Sequence, residues 1–560
     1  MMGRQSSQPL SPEWQVILCC ARTRLVPAYR DRLQQILAEP INWQKLTLLA
    51  ARHHVESLLY HHLTGPLGRL IPAETLASLM DVMRLEVRRN LILAGNLMYL
   101  RNRFERGGLQ VIPYKGPALA SLAYGNFTLR SSEDLDFILP QYQVMQAYEV
   151  LATAGYWSGL NPKVARDARF LASGQPGQYC FFSERPRALV ELHTEKTMRY
   201  FPAPIDWDQV QGRLQTVSLG GVDLRTFSVE DTLVLLAVHG AKHFWGRLGW
   251  ICDIAEITQV PRGIDWNLAE DLAERMGCRR MWLLGLSLAT EVLDAPLPAE
   301  IRKKVDGDRG VAALHREVES ALFGANPGSR SLPRRLRFRV QSHERMATSL
   351  RQLARTATRP TEDDFRAVAL PQWAWLLYRV VRPFRLLVGH GPAAQRESLL
   401  DLGFFQATPD NAVERMLEMS ELQSNDVLYD LGCGDGRIVV MAAQRFGIRA
   451  VGIDIDAKLI AQARANARQS GVTHLVEFWK KDVCTTDVSP ATVVTLYLKD
   501  SVIFAVSEKL RAELRPGARV VSRDAVIPGW GPPDRTEWVS TRSSKPSKLC
   551  AWRISGPAGG

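Results

Sequence analysis

No run of about eighteen uninterrupted apolar residues occurs in this chain, so no membrane-spanning helix is expected. Residues Met1 to Glu13 lack the basic-then-apolar layout of a secretory leader. Cysteine is sparse: eight in 560 residues, with no Cys-x-x-Cys and Cys19-Cys20 as the single close pair. That excludes the usual spacing of a zinc site or a disulfide framework, and a reducing cytoplasm is the expected setting. Internal repeats, low-complexity tracts and recognised nucleic-acid modules are missing too.

What is present is the composition of a soluble globular protein, with 46% hydrophobic and 23% charged residues. A length of 560 residues exceeds one ordinary core, so two or more domains are expected. The net charge of +12 is unevenly placed. Residues 401–560 hold 20 Lys+Arg against 19 Asp+Glu, so the excess lies in residues 1–400. It is densest over 330–385, which includes Arg334, Arg335, Arg337, Arg339, Arg351, Arg355 and Arg359. Such a stripe can meet phosphates or an acidic partner, nucleic acid included, but solvated helix faces are the favoured reading.

Apolar spacing predicts helices over 13–105, broken at Gly107-Gly108. Strands are expected at Leu109 to Pro113, Leu135 to Leu139 and Ala188 to Leu192, with a short helix from Pro117 to Tyr124. Helices resume at Val229. Pro360 to Asp364 carries a helix-start signal. Trp373 to Val388 mixes aromatics with Arg379, Arg382 and Arg385. It could lie on a membrane surface, but a docking helix closing the first domain is preferred. Gly389 to Ala394 reads as a linker. From there strands at Val427 to Asp430, Ala450 to Asp454, Val476 to Lys480, Val493 to Tyr497 and Arg519 to Ser522 alternate with helices, the doubly wound pattern.

The run Val427-Leu428-Tyr429-Asp430-Leu431-Gly432-Cys433-Gly434-Asp435-Gly436-Arg437 reads as a buried strand, a glycine turn and a helix start. Glycines let the backbone pass close to a ligand. Asp454 closes the next apolar run, where a carboxylate can accept hydrogen bonds from ribose hydroxyls. The spacing is Gly-x-Gly-x-Gly, unlike the Gly-x-Gly-x-x-Gly of dinucleotide enzymes.

With an acidic residue on the first strand, this resembles motif I of the class I S-adenosylmethionine (SAM) methyltransferases. The resemblance continues through Thr408-Pro409, Ala491 to Leu498, Leu514-Arg515-Pro516-Gly517 and Val520-Val521-Ser522, covering about 404–535. It is closest to the seven-strand protein-lysine methyltransferases, including those that modify the ATP synthase c-subunit. It implies a SAM site of Asp430, Gly432, Gly434, Gly436 and Asp454, with Asp482 beside the adenine and the segment around Thr408 over the methionine end. Tyr497 is the candidate for orienting an incoming amine. Asn/Asp-Pro-Pro-Tyr, the mark of adenine and glutamine methylation, is absent, and Lys499 to Ile503 lacks an asparagine expected of the closest relatives.

A second constellation lies in Tyr114-Lys115-Gly116-Pro117, Arg130 and Asp134-Leu135-Asp136. Alternate residues of a strand share a face, so Asp134 and Asp136 can hold a divalent cation that binds triphosphate oxygens. Glu191, in Glu191-Leu192-His193, is placed to complete a two-metal site. Together with Tyr124-Gly125, His239 to Trp245 and Trp250 to Asp253, these residues resemble a bacterial family of uncharacterised nucleotidyltransferases with a polymerase-β-type palm. The resemblance covers about 13–390. It implies Asp134, Asp136 and Glu191 as catalytic metal ligands, and Lys115, Gly116 and Arg130 at the nucleotide. Lys115-Gly116 stands where the wider superfamily has Gly-Ser, and a lysine can bind phosphate as a point charge.

The expected architecture is therefore α/β and multidomain. A nucleotidyltransferase-like α+β palm with helical flanks spans 13–390, its palm core at about 107–225. A linker at 391–403 leads to a doubly wound, Rossmann-like SAM methyltransferase domain at 404–560. The expected function is methyl transfer to a protein lysine or other amine by a cytoplasmic bacterial enzyme. The first domain would use Mg²⁺ or Mn²⁺ with an NTP on an unknown acceptor. The alternatives are a first domain that only binds nucleotide or recruits substrate, and a methyl acceptor that is a small molecule or nucleic acid.

Overall fold

The computed structural model describes residues 10–158, 178–194, 205–323, 332–344, 368–387 and 408–554, short gaps within these spans aside, with isolated positions between 345 and 367. The expected linker at 391–403, the helix start at Pro360 to Asp364, Arg351, Arg355, Arg359, Phe404 to Ala407 and Lys499 lie outside them. The chain divides into two compact units, one formed by Met1–Asn42, Leu49–Leu70 and Glu86–Ala393, the other by Trp43–Leu48, Ile71–Leu85 and Ala394–Gly560. No helix among the described residues is long and apolar enough to cross a membrane.

Helices Pro12–Cys20, Pro27–Leu37, Trp43–His53 and Glu56–Leu63 lead to a long helix, Ala73–Arg106. The long helix stops where the glycine pair predicts. Gly108 takes φ +69°, its N–H bonds Glu105 O, and the Leu109 N–H reaches back to Phe104 O at 3.0 Å. That left-handed cap satisfies the last carbonyls. It also uses Leu109, so the expected strand shrinks to β1, Ile112–Pro113.

Next come β2 (Leu135–Leu139), β3 (Trp157–Ser158), β4 (Gln178–Glu184) and β5 (Arg187–Thr194). They form a sheet in the order β1-β2-β5-β4-β3, in which only β2 and β5 run parallel among the described strands. β5 was expected at Ala188 to Leu192, whereas β3, β4 and the hairpin of β6 (Gln215–Leu219) and β7 (Val222–Thr226) were not anticipated from the sequence. Leu93, Leu97, Leu100 and Phe104 of the long helix follow a four-three-four spacing and bury against Phe137, Leu139, Phe181, Val190 and Leu192. The short helix begins at Gly116–Leu119 and widens into a π-type turn over Ala120–Tyr124. Helices Val229–Lys242, Leu248–Ile257, Trp266–Arg275 and Arg279–Leu293 follow.

The second unit carries β8 (Val427–Leu431), β9 (Arg449–Asp454), β10 (Val476–Lys480), β11 (Val493–Leu496), β12 (Arg519–Arg523), β13 (Arg535–Thr541) and β14 (Ser544–Arg553). Their order is β10-β9-β8-β11-β12-β14-β13, parallel through β12 and then antiparallel. Helices Asp410–Met419, Arg437–Phe446 and Ala457–Gln469 fill one apolar core, and helix Asp500–Glu513 fills another that the opposite strand residues share. The strand order reverses between β8 and β11. A ligand crevice opens at the carboxyl ends of strands at such a switch point. The five parallel strands stand within one residue of the sequence reading. The C-terminal hairpin was not anticipated.

Candidate functional site

In the second unit the glycine turn leaves β8 with Gly432, Gly434 and Gly436 at φ +80°, +54° and +77°. Asp454, at the end of β9, holds this turn. Its carboxylate accepts the Gly434 N–H at 2.9 Å and the Asp456 N–H at 2.8 Å. Burial raises the Asp454 carboxyl above its ordinary range. Asp430, on β8, is buried and accepts the Thr495 hydroxyl at 2.8 Å. Burial pushes Asp430 up to about 7, against the pull of that hydrogen bond.

Asp482 follows β10 by two residues, and β10 pairs Lys480 with Asp454, so both residues stand at the carboxyl ends of neighbouring strands. One Asp482 oxygen is engaged by the Cys484 N–H at 2.9 Å. The buried Thr408 gives its carbonyl to Arg437 Nη1 at 2.9 Å, and Arg437 is paired with Asp435 at 2.7 Å. That tie holds Thr408 against the glycine turn. Tyr497 follows β11, and the Arg523 guanidinium lies 4.2 Å above its ring. Arg523 is buried and donates from Nε to Ser547 Oγ at 2.9 Å. Nothing in its surroundings was signalled by the motif residues; only the parallel pairing of Leu496 with Ser522 brings it next to Tyr497.

In the first unit, parallel pairing sets Asp136 directly opposite Glu191. His193, quoted in the motif but given no role, joins them. One ligand atom each from Asp136, Glu191 and His193 falls within 4.8 Å of the others, a spacing that fits a metal ion. His193 Nε2 stands 3.1 Å from Asp136 Oδ1 and 3.4 Å from Glu191 Oε2. Lys115 Nζ lies 2.8 Å from the same Asp136 oxygen. The second oxygen, Asp136 Oδ2, is buried with no hydrogen-bond partner. Gln178 Nε2 donates to Glu191 Oε2 at 2.6 Å.

Asp134 precedes β2 and is not one of that trio. Burial and the neighbouring Asp136 and Glu191 charges push it up to about 8. Burial works to raise Asp136 as well, but Lys115 and His193 outweigh it and hold that carboxyl far below the usual range. His193 is correspondingly raised by the two carboxylates, in spite of its burial. The pair of aspartates therefore splits into a proton-holding and a charged member. Gly116 has φ +56°, and a Cβ there would meet Asp134 O at 3.0 Å. Arg130 is committed elsewhere: it grips Asp253 through Nε at 2.7 Å and Nη2 at 2.9 Å, and Ser132 through Nη1 at 3.2 Å. Tyr124 donates to the same Asp253 at 2.7 Å. These contacts fasten the Arg130 loop to helix Leu248–Ile257, a structural bond beside the nucleotide role expected of it.

Comparison with known proteins gives different matches for the N-terminal and C-terminal parts of the chain. A family model for an uncharacterised nucleotidyltransferase matches residues 39–294, and a model for an ANTKMT methyltransferase domain matches 430–534. A protein-lysine N-methyltransferase of Saccharolobus islandicus is 44% identical over 126 residues, which cover 22% of this chain and 78% of that protein. The adenine nucleotide translocase lysine N-methyltransferase of Mus musculus is 34% identical over 163 residues, 29% of this chain and 64% of the mouse protein. A solved RNA methyltransferase from Salinibacter ruber, in complex with S-adenosyl-L-homocysteine, shares 45% identity over 28% of this chain and 97% of its own, with a TM-score of 0.26. By its C-terminal part the chain belongs to the protein-lysine N-methyltransferase family and is a SAM-dependent methyltransferase, joined to an N-terminal part that matches the uncharacterised nucleotidyltransferases.

Proposed function

We propose that the chain methylates a protein lysine with its C-terminal domain, 404–560, and binds an NTP with a divalent cation in its N-terminal domain, 13–390, across a linker at 391–403. The observation that carries the first half is the 44% identity to a protein-lysine N-methyltransferase over 78% of that protein's length. The near-balance of 20 basic and 19 acidic residues over 401–560 supports it, since a nucleic-acid acceptor favours a basic surface. Eight free thiols, most of them buried, suit a reducing cytoplasm.

SAM supplies a methyl group activated on a sulfonium. The chain's work is placement. Asp454 and the glycine turn grip the ribose and the adjoining backbone of the ligand, and Asp482 takes the adenine side. The Thr408 segment, tied down by Arg437, excludes water from the methionine end. Tyr497 orients the amine. An amine must be neutral to attack, and the Arg523 charge behind the Tyr497 ring disfavours an ammonium there.

For the first domain, the unpartnered Asp136 Oδ2 and the convergent oxygen, oxygen and nitrogen donors fit a divalent cation. An imidazole in the set favours Mn²⁺ over Mg²⁺, which prefers oxygen ligands. Such a cation would neutralise triphosphate oxygens. Asp136, Glu191 and His193 would hold it, Asp134 would stand at its edge, and Lys115 with Gly116 would meet the phosphates. The alternative of a nucleotide-binding domain without turnover draws support from Lys115, whose ammonium already sits on Asp136.

The test is labelled SAM with cell lysate, followed by separate nuclease and protease digestion. Label that survives nuclease and is lost to protease, and that amino-acid analysis finds on lysine, is the expected result. Label removed by nuclease alone refutes the protein acceptor and makes the 330–385 stretch the docking surface for nucleic acid.

A further inference from the structure

The segment Gln372–Leu377 and the helix Tyr378–Leu387 that continues it present their two faces the wrong way round for a surface helix. Ala374, Tyr378 and Arg382, four residues apart, are the buried stripe. Tyr378 enters the sheet core, Val381 packs beside it, and the Tyr378 hydroxyl donates to Val368 O at 2.6 Å while accepting the Leu370 N–H at 3.0 Å. That anchoring fixes the rotation of the helix. The opposite stripe is apolar: Trp373, Leu376, Leu377, Val380 and Phe384 stand 50 to 85% exposed. Their spacing of three and four residues makes them one continuous band.

The charge along this stretch of sequence has one sign. Between residues 365 and 396 the chain has no Asp or Glu, but has Arg366, Arg379, Arg382, Arg385 and Arg396. Arg379 is exposed beside the band. We propose that the outward face of Gln372–Leu387 seats on an anionic lipid bilayer, with Trp373, Leu376, Val380 and Phe384 entering the headgroup boundary and Arg379 meeting lipid phosphates. A tryptophan among aliphatic residues, with Arg379 exposed beside them, suits that boundary, where an amphipathic ring is favoured. A second copy of the chain suits it less. Five side chains on one short element fall well below the roughly 800 Å² per partner of a stable protein interface, and two such faces would bring like charges together. The helix docks on the first unit through Tyr378, as the sequence pattern favours, and leaves its apolar stripe outward.

The test uses the full chain and extruded vesicles, either pure phosphatidylcholine or phosphatidylcholine mixed with phosphatidylglycerol. The expected result is co-sedimentation with the anionic vesicles, at least about tenfold weaker on neutral vesicles and at high salt. The Trp373→Ser/Leu376→Ser/Phe384→Ser variant, altered only at exposed positions, should lose at least about tenfold in partitioning while its Tm and its affinity for S-adenosylhomocysteine stay unchanged. Arg379→Glu should weaken the anionic vesicles alone. Wild-type protein that ignores anionic vesicles overturns the proposal, and so does a triple variant that still binds them as the wild type does. A wild-type dimer that the triple variant abolishes, without vesicle binding, assigns the face to a second copy instead.

Discussion

Asp454→Ala removes a carboxylate with a structural duty and a proposed ligand-binding one, and the structure allows them to be told apart. In the protein its oxygens accept the Gly434 and Asp456 N–H groups at 2.9 and 2.8 Å. Hydrogen bonds to a charged acceptor are worth about 1.5–3 kcal/mol each. Water entering at the crevice mouth recovers part of that, so the ligand-free protein should lose about 2 kcal/mol. The ribose then loses a charged acceptor as well, a further ~1.5–3 kcal/mol, so SAM should bind at least about tenfold more weakly. Differential scanning fluorimetry reads the first loss and titration calorimetry the second. A loosened turn alone would weaken every ligand. The ribose role is isolated by comparing S-adenosylhomocysteine with an analogue lacking both ribose hydroxyls. The wild type should prefer the intact ribose, and the variant should lose that preference, the logic of a double-mutant cycle. If the preference survives in Asp454→Ala, the hydroxyls are read elsewhere and the assignment of Asp454 is wrong, however unstable the variant proves.

Gly436→Ala should damage the same unit more than its size suggests: φ is +77°, and the new Cβ would meet Ala463 Cβ and the Phe478 ring at 2.7 Å, so a loss of about 2–4 kcal/mol is expected from strain and overpacking, read by chemical denaturation. Gly434→Val, at φ +54°, should abolish SAM binding in calorimetry while circular dichroism stays unchanged. Asp136→Asn should abolish Mn²⁺ binding measured by electron paramagnetic resonance, whereas Asp134→Asn should only weaken it, because Asp136 and not Asp134 belongs to the trio; neither should alter SAM binding. Asp430 has a folded pKa of about 7 against an ordinary 3.8, so its neutral form is the one the fold favours; its contribution is fully present below about pH 4 and lost as pH rises through 7, and Asp430→Asn should flatten the fall of Tm across that window.

Much of the methyltransferase unit was legible because its signals are local. An apolar run followed by Gly-x-Gly-x-Gly states both the strand end and the turn, and Asp454 closes the next apolar run. What such runs cannot state is lateral order. The placement of Arg523 over Tyr497 follows from β12 lying beside β11, and the closing hairpin of β13 and β14 alternates less cleanly than the buried strands. The palm shows the same division. Leu135–Leu139 read correctly because all five residues are buried and apolar but for Asp136. The expected strand from Leu109 failed at its start because the glycine cap of the preceding helix claims Leu109. Asp134 was grouped with Asp136 by alternation, but the strand begins only at Leu135, so alternation does not reach back to it. His193 was missed as a partner because two residues past a glutamate is an unremarkable position until β5 is laid against β2.

The two sites are held in physically different ways. Around the glycine turn the geometry is set by backbone N–H groups, positive φ values and one buried carboxylate, so little has to move when a ligand arrives. At Asp136 the geometry is set by ions. Lys115 and His193 both sit on Asp136 Oδ1, and of that carboxylate only Oδ2 is unclaimed. A metal at Oδ2 would add a positive charge beside Lys115 and would turn His193 from a partner of the carboxylates into a ligand, in a buried setting where unpaired charge is costly. A triphosphate offers Lys115 another anionic partner, which offsets that cost. On the proposed function, metal and nucleotide would be coupled through Lys115, the triphosphate drawing its charge away from Asp136 as the metal arrives.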